Sequence, residues 1–158
     1  MKKIILVIVV VFSVSAVCFA QNKAEIGFAL VRNPVFFPDN AVVPGVSLAF
    51  YPSITSFFGI GILANFGIGE NAAHLDFLAG PYFAVHIKEK FTLLGSAGFY
   101  IGMIFFGFGG QLSAQYAVHP NIAIFVRVQG NFAVFMAPGI DSIKSYVITP
   151  VVGVGFRF

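Results

Sequence analysis

Tryptophan is absent from the 158-residue chain, cysteine occurs once, and charged side chains make up only 9% of it. Each shortage closes off a class of function. A lone thiol, Cys18, cannot build a disulfide framework. The three histidines, His74, His86 and His119, form no cluster with metal-ligand spacing, so neither a metal nor another cofactor is expected. Nine Lys and Arg against six Asp and Glu give a net charge of +3, too sparse for the basic patch that holds a phosphate backbone, which argues against a nucleic-acid partner. A typical soluble domain is about one quarter charged. Long uncharged apolar runs of the length a spanning helix needs, roughly 20 residues, are also scarce. Past the N-terminal leader only FTLLGSAGFYIGMIFFGFGG, Phe91 to Gly110, qualifies, and it is crowded with glycine.

The N-terminus has its own signature. MKKIILVIVVVFSVSAVCFAQ carries two lysines, an apolar run from Ile4 to Phe12 and then small residues. This pattern predicts a secretory signal peptide over residues 1–20, cleaved after Ala20, with Ala16 as a second candidate. Val17 ahead of Cys18 does not suit lipidation of that cysteine. Residues 21–158 then form a single domain without cysteine.

What is abundant is phenylalanine, 21 of them, with 17 glycines and 58% hydrophobic residues overall. A core of this size cannot hide so much Phe, so part of it should face lipid. In lipid the backbone must be hydrogen-bonded internally, which leaves helices or closed barrels. The pattern selects the barrel. In VVGVGFRF, Val152, Val154, Phe156 and Phe158 fall on one face and Val151, Gly153, Gly155 and Arg157 on the other, a strand period of two. The same alternation divides the domain into eight segments: 24–32, 44–51, 57–69, 74–86, 91–103, 111–118, 122–132 and 146–158. The register across Phe105 to Gly110 is ambiguous, because Phe and Gly suit either face. An even number of strands, each near the roughly 9 to 11 residues that cross a bilayer at a tilt, predicts an all-β, eight-stranded antiparallel transmembrane up-and-down barrel. Its last strand pairs with its first, leaving no open edge. Short turns at Pro52-Ser53, Lys88-Glu89-Lys90 and His119-Pro120-Asn121 alternate with longer loops at Asn33–Val42 and Pro138–Lys144. This places both termini on the short-turn, periplasmic side. Phe50, Tyr51, Phe57, Phe58, Phe83, Phe91 and Tyr116 lie near the short turns as an aromatic girdle.

The leader, the eight alternating segments and the closing VGVGFRF resemble the small eight-stranded outer-membrane β-barrel proteins of diderm bacteria. The resemblance implies placement in outer-membrane lipid and recognition of the C-terminal strand, with Phe158 as its terminal aromatic residue, by the barrel assembly machinery. The loop NPVFFPDNAV, residues 33–42, is a candidate for contact with a surface partner, although the loops are shorter than those of adhesive or serum-resistance barrels.

The inward face is expected to hold Glu25, Asn65, His74, Asp76, Tyr82, Ser96, Tyr100, Gln111, Ser113, Gln115, Arg127, Gln129, Asn131 and Arg157. Buried charges need partners, so Glu25 and Asp76 are set against Arg127 and Arg157. An eight-stranded interior is just wide enough for side chains to fill it or for one small ligand. The inward glycines at 59, 61, 67, 98, 102, 153 and 155 either make room for Tyr82 and Tyr100 or leave a cavity. The reading is a filled, structural or surface-displaying barrel, porin-like in its wall but not a pore. A small-ligand or apolar-solute carrier, a multi-pass helical protein and a soluble lipocalin-like barrel stay open beside it. A lipid-modifying enzyme would need a nucleophile, a base and an orienting group together. His74 with Asp76 and a serine such as Ser47 or Ser96 is the only approach to that set, and no catalytic residue is assigned.

Overall fold

A computed structural model describes residues 22–32, 42–69, 73–103, 105–136 and 146–158. Eight strands follow one another in the chain: β1 (Lys23–Arg32), β2 (Val42–Tyr51), β3 (Phe58–Ile68), β4 (Ala73–Ile87), β5 (Phe91–Gly102), β6 (Phe105–His119), β7 (Ile122–Met136) and β8 (Tyr146–Arg157). Every neighbour pairs antiparallel, and β1 pairs with β8, so the sheet closes in chain order. Val151 to Phe158 thus finds its partner in the first strand: Phe156 lies opposite Ala24 and Val154 opposite Ile26. Backbone bonds between Asn22 and Phe158, at 2.9 and 3.0 Å, extend the seam past the last rung. Closure satisfies the edge groups that hydrocarbon cannot.

The two faces separate as the alternation requires. Phe28, Leu48, Ile62, Phe77, Phe99, Leu112, Val126, Phe132 and Val152 stand exposed on the outside, while Glu25, Ser47, Asn65, Asp76, Gln111, Arg127 and Gln129 are buried within. A soluble lipocalin-like barrel has the opposite arrangement, apolar inside and polar outside, and this orientation overturns that reading. Only lipid can cover such an outer wall at low cost. The multi-pass helical reading is overturned as well. Phe91 to Gly110 forms parts of two strands, β5 and β6, broken at Met103, and no helix among the described residues is long and apolar enough to cross a membrane.

Four details correct the sequence expectations. β6 starts at Phe105 rather than Gln111, with Phe105 and Gly107 buried and Phe106 and Phe108 exposed. β7 continues past Phe132 to Met136, with Ala133 inside and Val134 outside. Tyr51 is fully buried in the lumen and does not belong to the girdle. The pairs Phe50–Phe158, with ring centroids 6.4 Å apart, and Phe58–Phe83, at 5.2 Å, carry that belt. The turn between β2 and β3 is also longer than Pro52-Ser53: Ser53 bridges to Gly59 and the chain bends through residues 54–57.

The connections 52–57, 88–90 and 120–121 share an end with Asn22 and Phe158, and the strand ends at Arg32, Val42, Ile68, Ala73, Gly102, Phe105, Met136 and Tyr146 lie at the other. The predicted signal peptide, nearly all of the 33–42 loop and the Pro138–Lys144 loop lie outside the described residues.

Candidate functional site

The lumen is where this fold gathers its chemistry. Along each strand every second residue points inward, so polar residues spaced by two converge on the axis from all sides. Arg127, at the centre of β7, is the largest fully buried side chain. Its guanidinium donates to the Glu25 carboxylate of β1 at 2.8 Å and to the Tyr51 hydroxyl of β2 at 3.1 Å, and its second terminal nitrogen donates to the Ser47 hydroxyl. The guanidinium carbon also lies 5.4 Å from the centre of the Phe125 ring, within range of a cation–π contact. The other Glu25 oxygen accepts from the Gln115 side chain of β6 at 2.6 Å, and the Gln111 side chain donates to the Tyr51 hydroxyl at 2.8 Å.

From there the bonds run on toward the opposite end. The Ser47 hydroxyl donates to Asn65 at 2.6 Å. The Asn65 side-chain amide donates to Asp76 at 2.7 Å and to Gln129 at 2.9 Å. Gln129 donates to Asn131 at 3.2 Å, and Asp76 pairs with His74 at 2.7 Å. One network therefore joins six of the eight strands. Links such as Glu25–Gln115, Ser47–Arg127 and Asn65–Gln129 connect strands that are not sheet neighbours, so they cross the lumen. A polar interior of this kind rigidifies a fold when its members are satisfied.

The expected inward residues all lie on the lumen side, but the pairing differs from expectation. Glu25 takes Arg127, as anticipated. Asp76 offsets neither Arg127 nor Arg157. It takes His74, two residues earlier on its own strand, and the Asn65 amide, while Arg157 extends across the mouth to Thr92 at a long 3.5 Å. Residue spacing shows which face a side chain takes but not its height along the axis, and Arg157 lies at the terminal end.

Two features were not singled out beforehand. Tyr51 is the hub on which Arg127, Gln111 and Glu25 meet, and Leu63, Leu78 and Leu94 insert apolar bulk among the polar groups. Their odd-numbered or even-numbered place in the alternation was the available signal.

Some of the inward glycines make room for tyrosine, whereas Gly98 and Gly153 let the backbone of the neighbouring strand approach. A Cβ at Gly59 would come within 2.6 Å of the Tyr82 ring, and one at Gly102 within 2.9 Å of the Tyr100 hydroxyl. Tyr82 in turn shares a 2.5 Å hydrogen bond with Ser53.

The triad elements do not assemble. Ser47 is engaged by Asn65 and Arg127, not by His74, and Ser96 stands opposite Tyr82 and Gln111, whereas Asp76 stands opposite Gly102. The His74–Asp76 pair is completely buried and acts as a structural link in the network. Among the described residues there is no group of three or more His, Cys, Asp or Glu that could hold a metal.

The closed eight-stranded sheet, its apolar exterior and its filled polar lumen define a small transmembrane β-barrel. Comparison with solved structures places the fold among the small outer-membrane barrels of bacteria. The chain is similar to the attachment invasion locus protein Ail of Yersinia pestis, with a TM-score of 0.60, 18% identity and coverage of 89% of this chain and 99% of that one. It is similar to the outer membrane protein OprG of Pseudomonas aeruginosa, with a TM-score of 0.61, 12% identity and coverage of 89% and 96%. A de novo designed transmembrane β-barrel matches with a TM-score of 0.63, 11% identity and coverage of 89% and 97%. No protein-family model and no curated protein matches the sequence.

Proposed function

We propose that this chain is an integral outer-membrane barrel of a diderm bacterium that reinforces the envelope or displays short surface loops, and does not conduct ions. The observation that carries this reading is the set of side-chain bonds that cross the lumen through Arg127, Glu25, Ser47, Asn65 and Gln129. A permeating ion would have to break these bonds and leave charged groups unpaired, at a cost of several kcal/mol by the usual order of magnitude. The outward wall of Phe, Ile, Leu and Val is what lipid requires.

Residues 1–20 serve as the export signal, and Gln21 begins the mature domain. Both termini face the periplasm, on the side of the 88–90 and 120–121 turns. The closing strand is read by the barrel assembly machinery, with Phe158 as its terminal aromatic residue. In the finished barrel Phe158 is largely exposed and stacks on Phe50, leaving its ring free for an earlier role in assembly. The 33–42 loop is the candidate surface contact.

Density-gradient fractionation of the source cells tests the placement. The protein is expected with outer-membrane markers, and Phe158→Ala is expected to reduce that fraction while leaving the stability of refolded protein nearly unchanged. Recovery of the unaltered protein in the soluble periplasm without detergent contradicts the proposal.

A further inference from the structure

At the end where β1 and β8 close the barrel, two cations face the same lumen. Lys23 and Arg157 are direct cross-strand partners and both occupy inward positions. Like charges directly opposite each other on an antiparallel pair destabilise it, and burial makes an uncompensated charge costlier. Lys23 is 4% exposed, and Arg157 is half-buried.

No carboxylate pairs directly with either of them among the described residues, although Glu25 attracts Lys23 through space. The nearest carboxylate along β1 is Glu25, and its oxygens are already taken by Arg127 at 2.8 Å and Gln115 at 2.6 Å, with Tyr51 at 3.4 Å. The ion pairs among the described residues are Arg127–Glu25 and His74–Asp76, neither of which includes Lys23 or Arg157. The buried Nε of Arg157 has no hydrogen-bond partner, and its terminal nitrogen makes only the 3.5 Å contact with Thr92. The wall beside them on β7 and β8 is small, and the 88–90 turn at the same end carries Glu89 between two lysines. Ala123 and Gly155 stand opposite each other on β7 and β8, and a Cβ at Gly155 would meet nothing closer than 3.5 Å. Across the lumen, the Thr92 hydroxyl lies 3.0 Å from His86 Nδ1.

We propose that Lys23 and Arg157 form an oxyanion site at the terminal mouth of the barrel, which takes a phosphate group between the ammonium and the guanidinium with the Thr92 hydroxyl beside it. Phosphate suits the site because an arginine fork and a lysine point charge are the usual pair of donors for it. One dianion, or one phosphodiester with partial compensation, removes the repulsion that the two cations exert on the β1–β8 seam. The same chemistry is offered by free phosphate and by the headgroup of an anionic phospholipid.

The test uses the folded barrel purified in a zwitterionic detergent, with its unfolding midpoint followed as ligand is added. Sodium phosphate is compared with sodium chloride at equal ionic strength, and short-chain phosphatidylglycerol with phosphatidylcholine. A saturable rise with phosphate beyond that with chloride identifies the free anion. A rise with phosphatidylglycerol alone identifies the headgroup. Lys23→Met and Arg157→Met should each weaken the apparent affinity by about ten-fold or more, the loss expected for one charge-assisted bond, and Lys88→Met on the exposed turn should leave the response intact. Without ligand, Lys23→Met should raise the midpoint, which separates removal of repulsion from a folding defect. Equal responses to phosphate and chloride with no response to phosphatidylglycerol, or a response that survives in the Lys23→Met/Arg157→Met double variant, would overturn the proposal.

Discussion

Arg127 in the middle of the lumen and Arg157 at its mouth are inward-facing arginines on neighbouring strands, and their surroundings differ. Arg127 is fully buried, paired with Glu25, bonded to Tyr51 and Ser47, and set over the Phe125 ring. Arg157 is half-buried, faces Lys23 across the seam and reaches a single hydroxyl at 3.5 Å. The middle of the barrel answers each charge with an opposite charge and neutral donors, whereas the mouth carries a surplus of one sign. The contrast separates a charge that holds strands together from one that pushes them apart.

Arg127→Leu should produce the largest loss. It strands Glu25 without its cation and removes two further bonds, so the unfolding free energy in detergent or lipid should fall by about 3 to 5 kcal/mol. Arg157→Leu in the same assay should cost far less, and equal losses would mean that the mouth is as tightly built as the middle.

Leu112→Arg sets the outer wall against the inner one. Leu112 is 74% exposed at the centre of β6, so an arginine there would sit near mid-membrane. A loss of about 2 to 4 kcal/mol in bilayer refolding is expected. An unaffected midpoint would mean that this strip does not meet lipid.

Gly59→Ala tests how tightly the lumen is filled. The added methyl would press on the Tyr82 ring and on the Pro52 carbonyl, and overpacking of this kind costs about 1 to 3 kcal/mol. A neutral substitution would point to slack around Tyr82. The smallest effect should come from Lys23→Met without added anion, and with the opposite sign: a gain of up to about 1 kcal/mol from relieving the cross-strand repulsion.

Much of this architecture was legible in the sequence because alternation is a local signal. Phe156, Val154 and Val152 could be placed outside, and Arg127, Gln129 and Asn131 inside, from a period of two alone. Where the signal failed, the residue chemistry was degenerate. Phe105 to Gly110 contains only Phe and Gly, which fit lipid and lumen alike, so the start of β6 could not be read. Ala133 and Val134 carry no polar contrast, and β7 ran further than expected. Tyr51 sits beside a turn and reads as a girdle residue, yet its parity points it inward.

The pairing inside the lumen was legible only in part, for a different reason. Glu25 meets Arg127 and Gln115 from strands that are remote in the chain, and that meeting depends on how far each strand is shifted against its neighbour. The shift is a property of the closed sheet as a whole. The face alone sets Asp76 with Glu25 against the two arginines, whereas in the closed sheet it pairs with His74 on its own strand.

The central claim is that side chains close the lumen, and ion conductance across a planar bilayer tests it most directly. The reconstituted protein should give a silent trace over a wide range of voltage, because the Glu25–Arg127 pair and the Asn65–Gln129 bond lie across the path. A reproducible open level of hundreds of picosiemens, present in the unaltered protein and changed by Arg127→Leu, would contradict the account and make the barrel a pore.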